Sequence, residues 1–193
     1  MNSTNKKMKI IIGVTGASGA IYAERLLFNI KQLRENFEDI SVVFTEKAFQ
    51  VWEYELNNKE YLNTGFDLYD NNDFFAPFAS GSAQYDAMII CPCSMGTLSK
   101  IATGSANDLI SRAADVIIKE RKKLILAVRE APYNLIHIEN MKTVTMSGGI
   151  ICPASPSFYS KPKDILELTD TVINRVLQLA GIETNSYKWG NNN

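Results

Sequence analysis

A glycine-rich turn near the amino terminus is the stretch of this sequence best suited to bind an anion. It has the spacing Gly-x-x-Gly-x-x-Gly, from Gly13 through Gly16 to Gly19, between an apolar run at 8–12 and a helix-like run at 21–33. The first N–H groups of a helix have no partner within the helix, and the helix dipole places positive charge beside them. The sequence therefore predicts a phosphate-bearing ligand at this turn.

The turn alone does not identify that ligand. A dinucleotide fold has the tighter spacing Gly-x-Gly-x-x-Gly and an acidic residue at the end of its second strand, which binds a ribose. Here Asp39 precedes the predicted second strand, and that strand ends in Thr45 with Glu46 just beyond. A mononucleotide phosphate therefore fits better than NAD. Ser18 either contacts the ligand or only caps the following helix.

Two groups of charged residues are candidates for binding an anionic ligand. Arg129 and Glu130 follow a buried strand, where ligands of parallel sheets bind, so we favour a site role over a structural ion pair. The second group recurs at steps of four, three and four along one predicted helix: Asp108, Arg112, Asp115 and Lys119. This spacing is typical of a solvated salt-bridge face. The alternative is that Arg112 or Lys119 reaches the ligand.

The cysteines and the histidine are better explained by structural roles. Cys91 and Cys93 form C-x-C without a second pair, and Cys152 is distant in sequence. Metal and redox motifs usually need a C-x-x-C spacing, so no metal is expected. His137, the single histidine, lies in a helical pattern and is interpreted as a packed or surface residue.

The elements that position these residues alternate between strands and helices. Predicted strands are 9–14, 41–45, 87–91, 124–128 and 149–151, and predicted helices are 21–33, 46–56, a short helix ending near 104, 107–122, 134–146 and 164–179. Alternation of this kind predicts a parallel sheet covered by helices on both faces. Residues 36–39 form a polar break, and the irregular stretch 57–85 is long enough to be functional.

Composition limits the function classes. The chain has 193 residues, 46% of them hydrophobic, with 20 basic and 21 acidic side chains. We expect one domain, 1–193, with a core at about 8–182 and a tail at 183–193. The balanced charge gives no indication of a nucleic-acid or membrane surface, and no run approaches the ~20 apolar residues of a membrane span. The odd cysteine count and the lack of a signal-peptide pattern favour the cytoplasm.

Several separated blocks, in order, resemble the UbiX-type flavin prenyltransferases over roughly residues 8–182. The blocks are Thr15-Gly16-Ala17-Ser18-Gly19-Ala20, the stretch 79–82, the segment 91–99, the run 112–121, Arg129-Glu130-Ala131-Pro132 and Phe158-Tyr159. The resemblance implies a three-layer α/β fold of the flavodoxin-like or Rossmann-like kind. It implies no metal, and a dodecamer in which phosphate-binding residues reach the flavin across subunit boundaries.

The resemblance also implies a reaction. Reduced FMN is alkylated by dimethylallyl monophosphate, first at flavin N5 with loss of phosphate, and then at C6 to close a fourth ring. The product, prenylated FMN, is the cofactor of a partner UbiD-type decarboxylase. The released phosphate can accept the proton from C6, so no histidine is required.

Residue roles follow from the same resemblance. The residues implied to contact the flavin are Gly16, Ala17 and Ser18, with Ser18 near N5, together with Thr45, Ser94, Met95, Gly96, Thr97 and Arg112. The flavin phosphate is expected near Thr45 and Thr97 rather than at the glycine turn. The implied catalytic group is Ser18, Glu55 and Glu130, and the implied substrate-binding group is Lys119, Arg129, Tyr159, Arg175 and Trp189. Phe74 stands where some relatives carry tryptophan.

Two other functions remain open at this point. One is an FMN-dependent decarboxylase of the kind that acts on phosphopantothenoylcysteine. Those enzymes carry Pro-Ala-Ser-Ala-Asn-Thr and Met-Asn segments, whereas this sequence reads Cys-Pro-Cys-Ser-Met-Gly-Thr from Cys91 and has no Pro-x-Met-Asn. The other is a flavin carrier or regulatory subunit without turnover.

Overall fold

A computed structural model describes residues 7–184 and Gly190, so the expectation for Trp189 lies outside the described residues. All pairings in its six-stranded sheet are parallel. The strands are β1 (Met8–Val14), β2 (Phe37–Phe44), β3 (Asp67–Asp70), β4 (Ala87–Cys93), β5 (Lys123–Val128) and β6 (Ile150–Ile151). Their order is β3-β2-β1-β4-β5-β6, the doubly wound order typical of nucleotide-binding sheets.

Helices cover both faces of the sheet. They are α1 (Ala20–Gln32), α2 (Glu46–Leu56), α3 (Met95–Thr103), α4 (Leu109–Lys119), α5 (Leu135–Met146) and α6 (Ile165–Ala180). One core contains buried residues of α1, α2 and α6, and the other contains those of α3 and α4 with Val144 of α5. In β1, Ile10 and Ile12 face the first core and Ile11 faces the second, because strand side chains alternate. The predicted three-layer α/β fold is confirmed. No helix within 7–184 has the length and apolarity needed to cross a bilayer.

The strand order creates a crevice between β1 and β4. The chain moves from β1 to β2 in one direction and later begins β4 on the other side of β1. Helices α1 and α3, which follow these two neighbouring strands, therefore lie on opposite faces of the sheet. Ligands of doubly wound sheets bind at the carboxyl ends of the strands at such a point.

The second strand is longer than predicted. It begins at Phe37, which is 1% exposed and pairs with Met8, so the predicted polar break at 36–39 is wrong. The strand tolerates the charges of Glu38 and Asp39 because both have partners. Glu38 forms a salt bridge with Lys9, and Asp39 accepts hydrogen bonds from Ser41 and Tyr85.

Three smaller predictions also need correction. The irregular stretch 57–85 contains β3, a four-residue edge strand too short and polar for a periodic signal. Helix α4 runs from Leu109, after its cap Asp108, to Lys119, and is therefore shorter than the predicted 107–122. In α6, the apolar spacing predicts one buried face with Ile165, Leu168, Val172, Val176 and Leu179. Val172 and Val176 are buried, but Ile165 is 64% exposed, and Ile173 and Leu177 are buried as well.

Candidate active site

The loops after β1, β2, β4 and β5 meet at one edge of the sheet, as predicted. Hydrogen bonds continue the sheet pairing past the strand ends: the Thr45 N–H donates to the Val14 carbonyl at 3.0 Å, and the Arg129 N–H donates to the Cys93 carbonyl at 3.2 Å. The glycine turn, the start of α2, the start of α3 and the Arg129-Glu130 pair are therefore fixed side by side.

The glycine turn packs directly on the first turn of α2. A Cβ atom at Gly16 would lie 2.4 Å from the Cβ of Lys47, closer than two carbon atoms can approach. Gly19 adopts a left-handed conformation with φ of 107° and precedes α1, a conformation that side chains other than glycine rarely adopt. Both glycines are thus required by the shape of the turn.

The amino terminus of α1 is occupied by a carboxylate of the protein itself. Glu55 of α2 accepts hydrogen bonds from the Ala20 N–H at 2.7 Å and from the Gly19 N–H at 2.8 and 3.1 Å. Burial acts to raise the pKa of Glu55, but the Ser18 hydroxyl, these two N–H groups and the charge of Arg129 outweigh it and lower that pKa. The N–H groups of Gly19 and Ala20 at this helix terminus therefore already have an anionic partner within the chain.

Arg129 also binds the glycine turn. Its Nε atom donates to the Ser18 carbonyl at 2.8 Å. Its charge also acts on the half-buried Tyr22, whose pKa is raised by burial and by Cys91 and lowered in part by Arg129. The structure thus brings Ser18, Glu55 and Arg129 together, with the backbone of Ser18 fixed and its side chain exposed.

The amino termini of α2 and α3 flank the turn and retain N–H donors. Thr45 caps α2 by accepting from the Ala48 N–H at 3.1 Å, and Ser94 caps α3 by accepting from the Thr97 N–H at 3.3 Å. Each cap satisfies one N–H, and the other first-turn N–H groups remain available. The position of a Cβ on Gly96 is open, with the nearest neighbouring atom 4.0 Å away. The N–H groups of α2 and α3 can therefore bind a phosphate, and the open space at Gly96 can accommodate a flavin ring.

A second concave region lies beside this edge, between α6 and the loop after β6. This cavity has a volume of about 500 Å³ and is lined by Tyr159, Arg175 and Cys152, among other residues. Burial raises the pKa of the Cys152 thiol, and the positive charge of Arg175 offsets part of that effect. The main chain of this loop is joined to β5, because the Ala154 N–H donates to the Val128 carbonyl at 2.9 Å. Tyr159 and Arg175 are thus brought into one cavity, and the loop that lines it is joined to β5 at the residue before Arg129.

Two predicted site residues have other contacts in the single chain. Arg112 donates to the Ala79 carbonyl at 3.1 Å and forms a 2.9 Å salt bridge with Asp115. Lys119 lies at the carboxyl end of α4, four residues before β5 begins, and forms a 2.7 Å salt bridge with Glu120. Strand β5 begins just after Lys119 and ends just before Arg129. The Lys119 ammonium therefore lies near the amino-terminal ends of the parallel strands. The candidate site lies at the opposite, carboxyl-terminal ends of the strands.

The remaining sequence interpretations concern residues that pack. Cys91 and Cys93 are buried, and burial raises the pKa of both thiols, so they are neutral core residues. His137 belongs to the cap of α5, where its N–H donates to Asn134. Glu130 accepts from the Ala131 N–H at 3.0 Å.

Sequence reasoning gave no role to two residues that contact the turn. Thr15 lies immediately before Gly16 with its side chain buried, and Tyr22 lies against Gly19, 2.8 Å from the position of a Cβ there. The sequence feature that could have identified Thr15 is a hydroxyl residue directly after the mostly apolar strand β1. The signal for Tyr22 is an aromatic residue one turn after a glycine.

Comparisons with known proteins agree with this geometry. The sequence profile of the Flavoprotein family matches residues 1–177. The chain is 44% identical over 186 residues to flavin prenyltransferase UbiX of Methanocaldococcus jannaschii, covering 95% of this chain and 99% of that one. It is 39% identical to flavin prenyltransferase UbiX of Pseudomonas aeruginosa, covering 94% of both chains.

Solved structures show the same relationship. AnUbiX, crystallised with FMN and dimethylallyl pyrophosphate, superposes with a TM-score of 0.87 at 36% identity, over 95% of this chain and 100% of that one. A dodecameric FMN-dependent UbiX-like decarboxylase from Escherichia coli superposes with a TM-score of 0.89 at 35% identity, over 94% and 99%. The cysteine decarboxylase SpaF, at 17% identity and a TM-score of 0.61, shares the fold alone. The chain belongs to the UbiX family of flavin prenyltransferases.

Proposed function

We propose that this protein transfers the dimethylallyl group of dimethylallyl monophosphate to reduced FMN. The allylic C–O bond breaks, flavin N5 takes the carbon in place of its proton, and inorganic phosphate leaves. Protonation of the prenyl double bond then allows flavin C6 to form the second carbon bond, and C6 loses its proton to the phosphate. The atoms balance without an oxidant or a metal.

The observation that carries this proposal is the presence of two separate regions for anions at one edge of the sheet. One is the pair of helix amino termini at Thr45 and Ser94, on either side of the glycine turn. The other is the cavity that contains Tyr159 and Arg175. A reaction between a flavin phosphate and a substrate that releases phosphate needs both, because each phosphate requires its own donors.

The chemistry assigned to each residue follows from its contacts. Arg129, Arg175 and the Tyr159 hydroxyl stabilise the charge that builds on the leaving phosphate. Ser18 and Glu55, whose pKa the Ser18 hydroxyl helps to lower, hold a proton relay at the flavin edge, and Glu130 serves as a second acid for ring closure. Gly16, Ala17, Met95, Gly96, Thr97 and Arg112 bind the flavin in this proposal.

Lys119 lies far from the candidate site of its own chain, and a homo-oligomer would bring Lys119 of another subunit to that site. The first turn of helix α5 exposes large apolar side chains close together in sequence, with Leu135 70%, Ile136 69% and Ile138 48% exposed, and an apolar patch indicates a protein interface. We infer a homo-oligomer, with a dodecamer as its form, in which Lys119 of one subunit binds the substrate phosphate at the site of another. Trp189 is proposed to cover that site.

The fate of the product is also part of the proposal. A UbiD-type decarboxylase is inferred to receive the prenylated FMN, because a modified flavin has no use in the reaction that makes it.

A cytoplasmic location is inferred from the unpaired state of Cys91, Cys93 and Cys152.

The test is an anaerobic incubation of the full chain with reduced FMN and dimethylallyl monophosphate, followed by mass spectrometry of the released flavin. We expect a flavin that carries one added prenyl group and an equal amount of free phosphate. Protein that binds FMN but adds no prenyl mass would contradict the proposal, and turnover of phosphopantothenoylcysteine would favour the decarboxylase instead.

A variant makes the assay sharper. Glu130→Gln keeps the flavin contacts of the glycine turn and removes one acid, so it is expected to bind FMN and accumulate flavin alkylated at N5 with the fourth ring open. Unchanged turnover to the closed product would remove Glu130 from the mechanism.

A further inference from the structure

Thr15 makes a set of buried contacts that the reaction as described does not use. Its side chain is 2% exposed. Its Oγ1 donates to the Pro92 carbonyl at 2.7 Å and accepts from the Ser94 N–H at 2.8 Å, and its own N–H donates to the same carbonyl at 3.3 Å. Pro92 lies near the carboxyl end of β4 and Ser94 caps α3, so both partners are on the other side of the crevice.

These contacts begin where the sheet pairing between β1 and β4 stops. The register of that pairing runs from Ile10 opposite Ala87 to Gly13 opposite Ile90. Thr15, two residues further, continues the connection through its hydroxyl. Only a group with one proton and free lone pairs can serve a carbonyl and an N–H at once. Without it, the Ser94 N–H would lose its partner and the Pro92 carbonyl would keep only the 3.3 Å hydrogen bond from the Thr15 N–H, and an unsatisfied backbone N–H is costly.

We propose that Thr15 is a positioning residue, whose hydroxyl fixes the separation between the glycine turn and the amino terminus of α3. The two segments carry the flavin-binding residues on the two sides of the crevice, with Gly16 on one side and Ser94 on the other. This inference rests on the proposed function, since it takes these segments to be the flavin site. It adds a residue that touches neither flavin nor substrate and sets the width of the space between them.

The test compares the full-length oligomer of Thr15→Val with Thr15→Ser and with Thr169→Val. Valine has the shape of threonine without the hydroxyl, and serine keeps the hydroxyl. Thr169 is the matched control, because it is 3% exposed and its hydroxyl donates within α6 to the Ile165 carbonyl. Each protein is titrated with FMN, and the dissociation constant and the shape of the visible flavin band are recorded.

For Thr15→Val we expect about a tenfold rise in the FMN dissociation constant, equal to about 1.4 kcal/mol, and a flavin band closer to that of free FMN. The KM for FMN should rise in parallel, while the KM for dimethylallyl monophosphate stays within about twofold, because the Thr15 hydroxyl binds Pro92 and Ser94, neither of which lines the substrate cavity. Thr15→Ser and Thr169→Val should bind FMN as the unchanged protein does.

The opposing outcomes are distinct. Thr15→Val that binds FMN with the original constant and band shape would overturn the inference and leave the proposed function standing. Loss of binding in Thr15→Ser equal to that in the valine variant would also overturn it, because the hydroxyl would not be the cause. If the unchanged protein binds no FMN, the proposed function fails and the inference fails with it. Should the valine variant not fold, Thr15→Ala replaces it with the same expectations.

Discussion

The carboxylate of Glu55 at the amino terminus of α1 allows a quantitative prediction. Glu55→Gln keeps an acceptor oxygen for the N–H groups of Gly19 and Ala20 and removes the negative charge. A charge at a helix amino terminus contributes about 0.3–1 kcal/mol when exposed and up to about 2 kcal/mol when partly buried. The partly exposed position of Glu55 places its contribution at about 1 kcal/mol. Glu55→Ala, which also removes the acceptor, should cost about 2 kcal/mol.

The assay is thermal unfolding of the protein without ligand. For a chain of this size about 1 kcal/mol changes Tm by roughly 2–4 °C, so Glu55→Gln should unfold about 3 °C below the unchanged protein at pH 7. The pKa of Glu55 lies below its ordinary value of 4.5 in the folded protein. Its stabilising effect is therefore fully present above pH 4.5 and is lost as the pH falls through the folded pKa. The difference in Tm should shrink as the pH falls below about 4.5.

The control is Glu60→Gln, which removes the same charge from an exposed residue outside the turn and should change stability by less than about 0.5 kcal/mol. A Tm difference for Glu55→Gln that stays the same at pH 7 and at pH 3.5 would refute the reasoning. The loss would then come from packing, and the carboxylate charge would not be what holds the turn.

Three further variants test separate parts of the site. Gly16→Ala should lower both Tm and FMN affinity, because the new Cβ would lie 2.4 Å from the Cβ of Lys47. Calorimetry and an FMN titration measure the two effects, and unchanged values of both would contradict the packing argument. Gly96→Ala should raise Tm, since alanine favours a helix over glycine by up to about 1 kcal/mol, yet weaken FMN binding by filling open space; tighter binding would place the flavin elsewhere. Arg175→Ala should raise the KM for dimethylallyl monophosphate about tenfold or more through the loss of a charged hydrogen bond, with FMN affinity unchanged, and an unchanged KM would remove the cavity from the substrate site.

The agreement between sequence and structure is best where local physics decides. Helix α2 matches its predicted bounds of 46–56, because apolar spacing and the Thr45 cap act over a few residues. Asp164 and Gly181 similarly cap α6 at the predicted ends. Errors occur where a long-range partner decides instead. Phe37 joins β2 because β1 offers it a pairing partner, and the short strand β3 exists because β2 offers an edge.

The site shows the same division. The glycine turn, the two capped helix starts and Arg129 could be predicted from the sequence, because parallel strands place their carboxyl ends at one edge whatever lies between them. The sequence could not predict that Glu55 fills the terminus of α1, since the two lie 35 residues apart and meet only when α2 packs beside α1. Nor could it predict that the Thr15 hydroxyl bridges 77 residues to Pro92. Local pattern therefore determined the elements and the glycine turn. Tertiary packing decided which anion each helix terminus binds, because that depends on which side chains the folded sheet brings within hydrogen-bond distance.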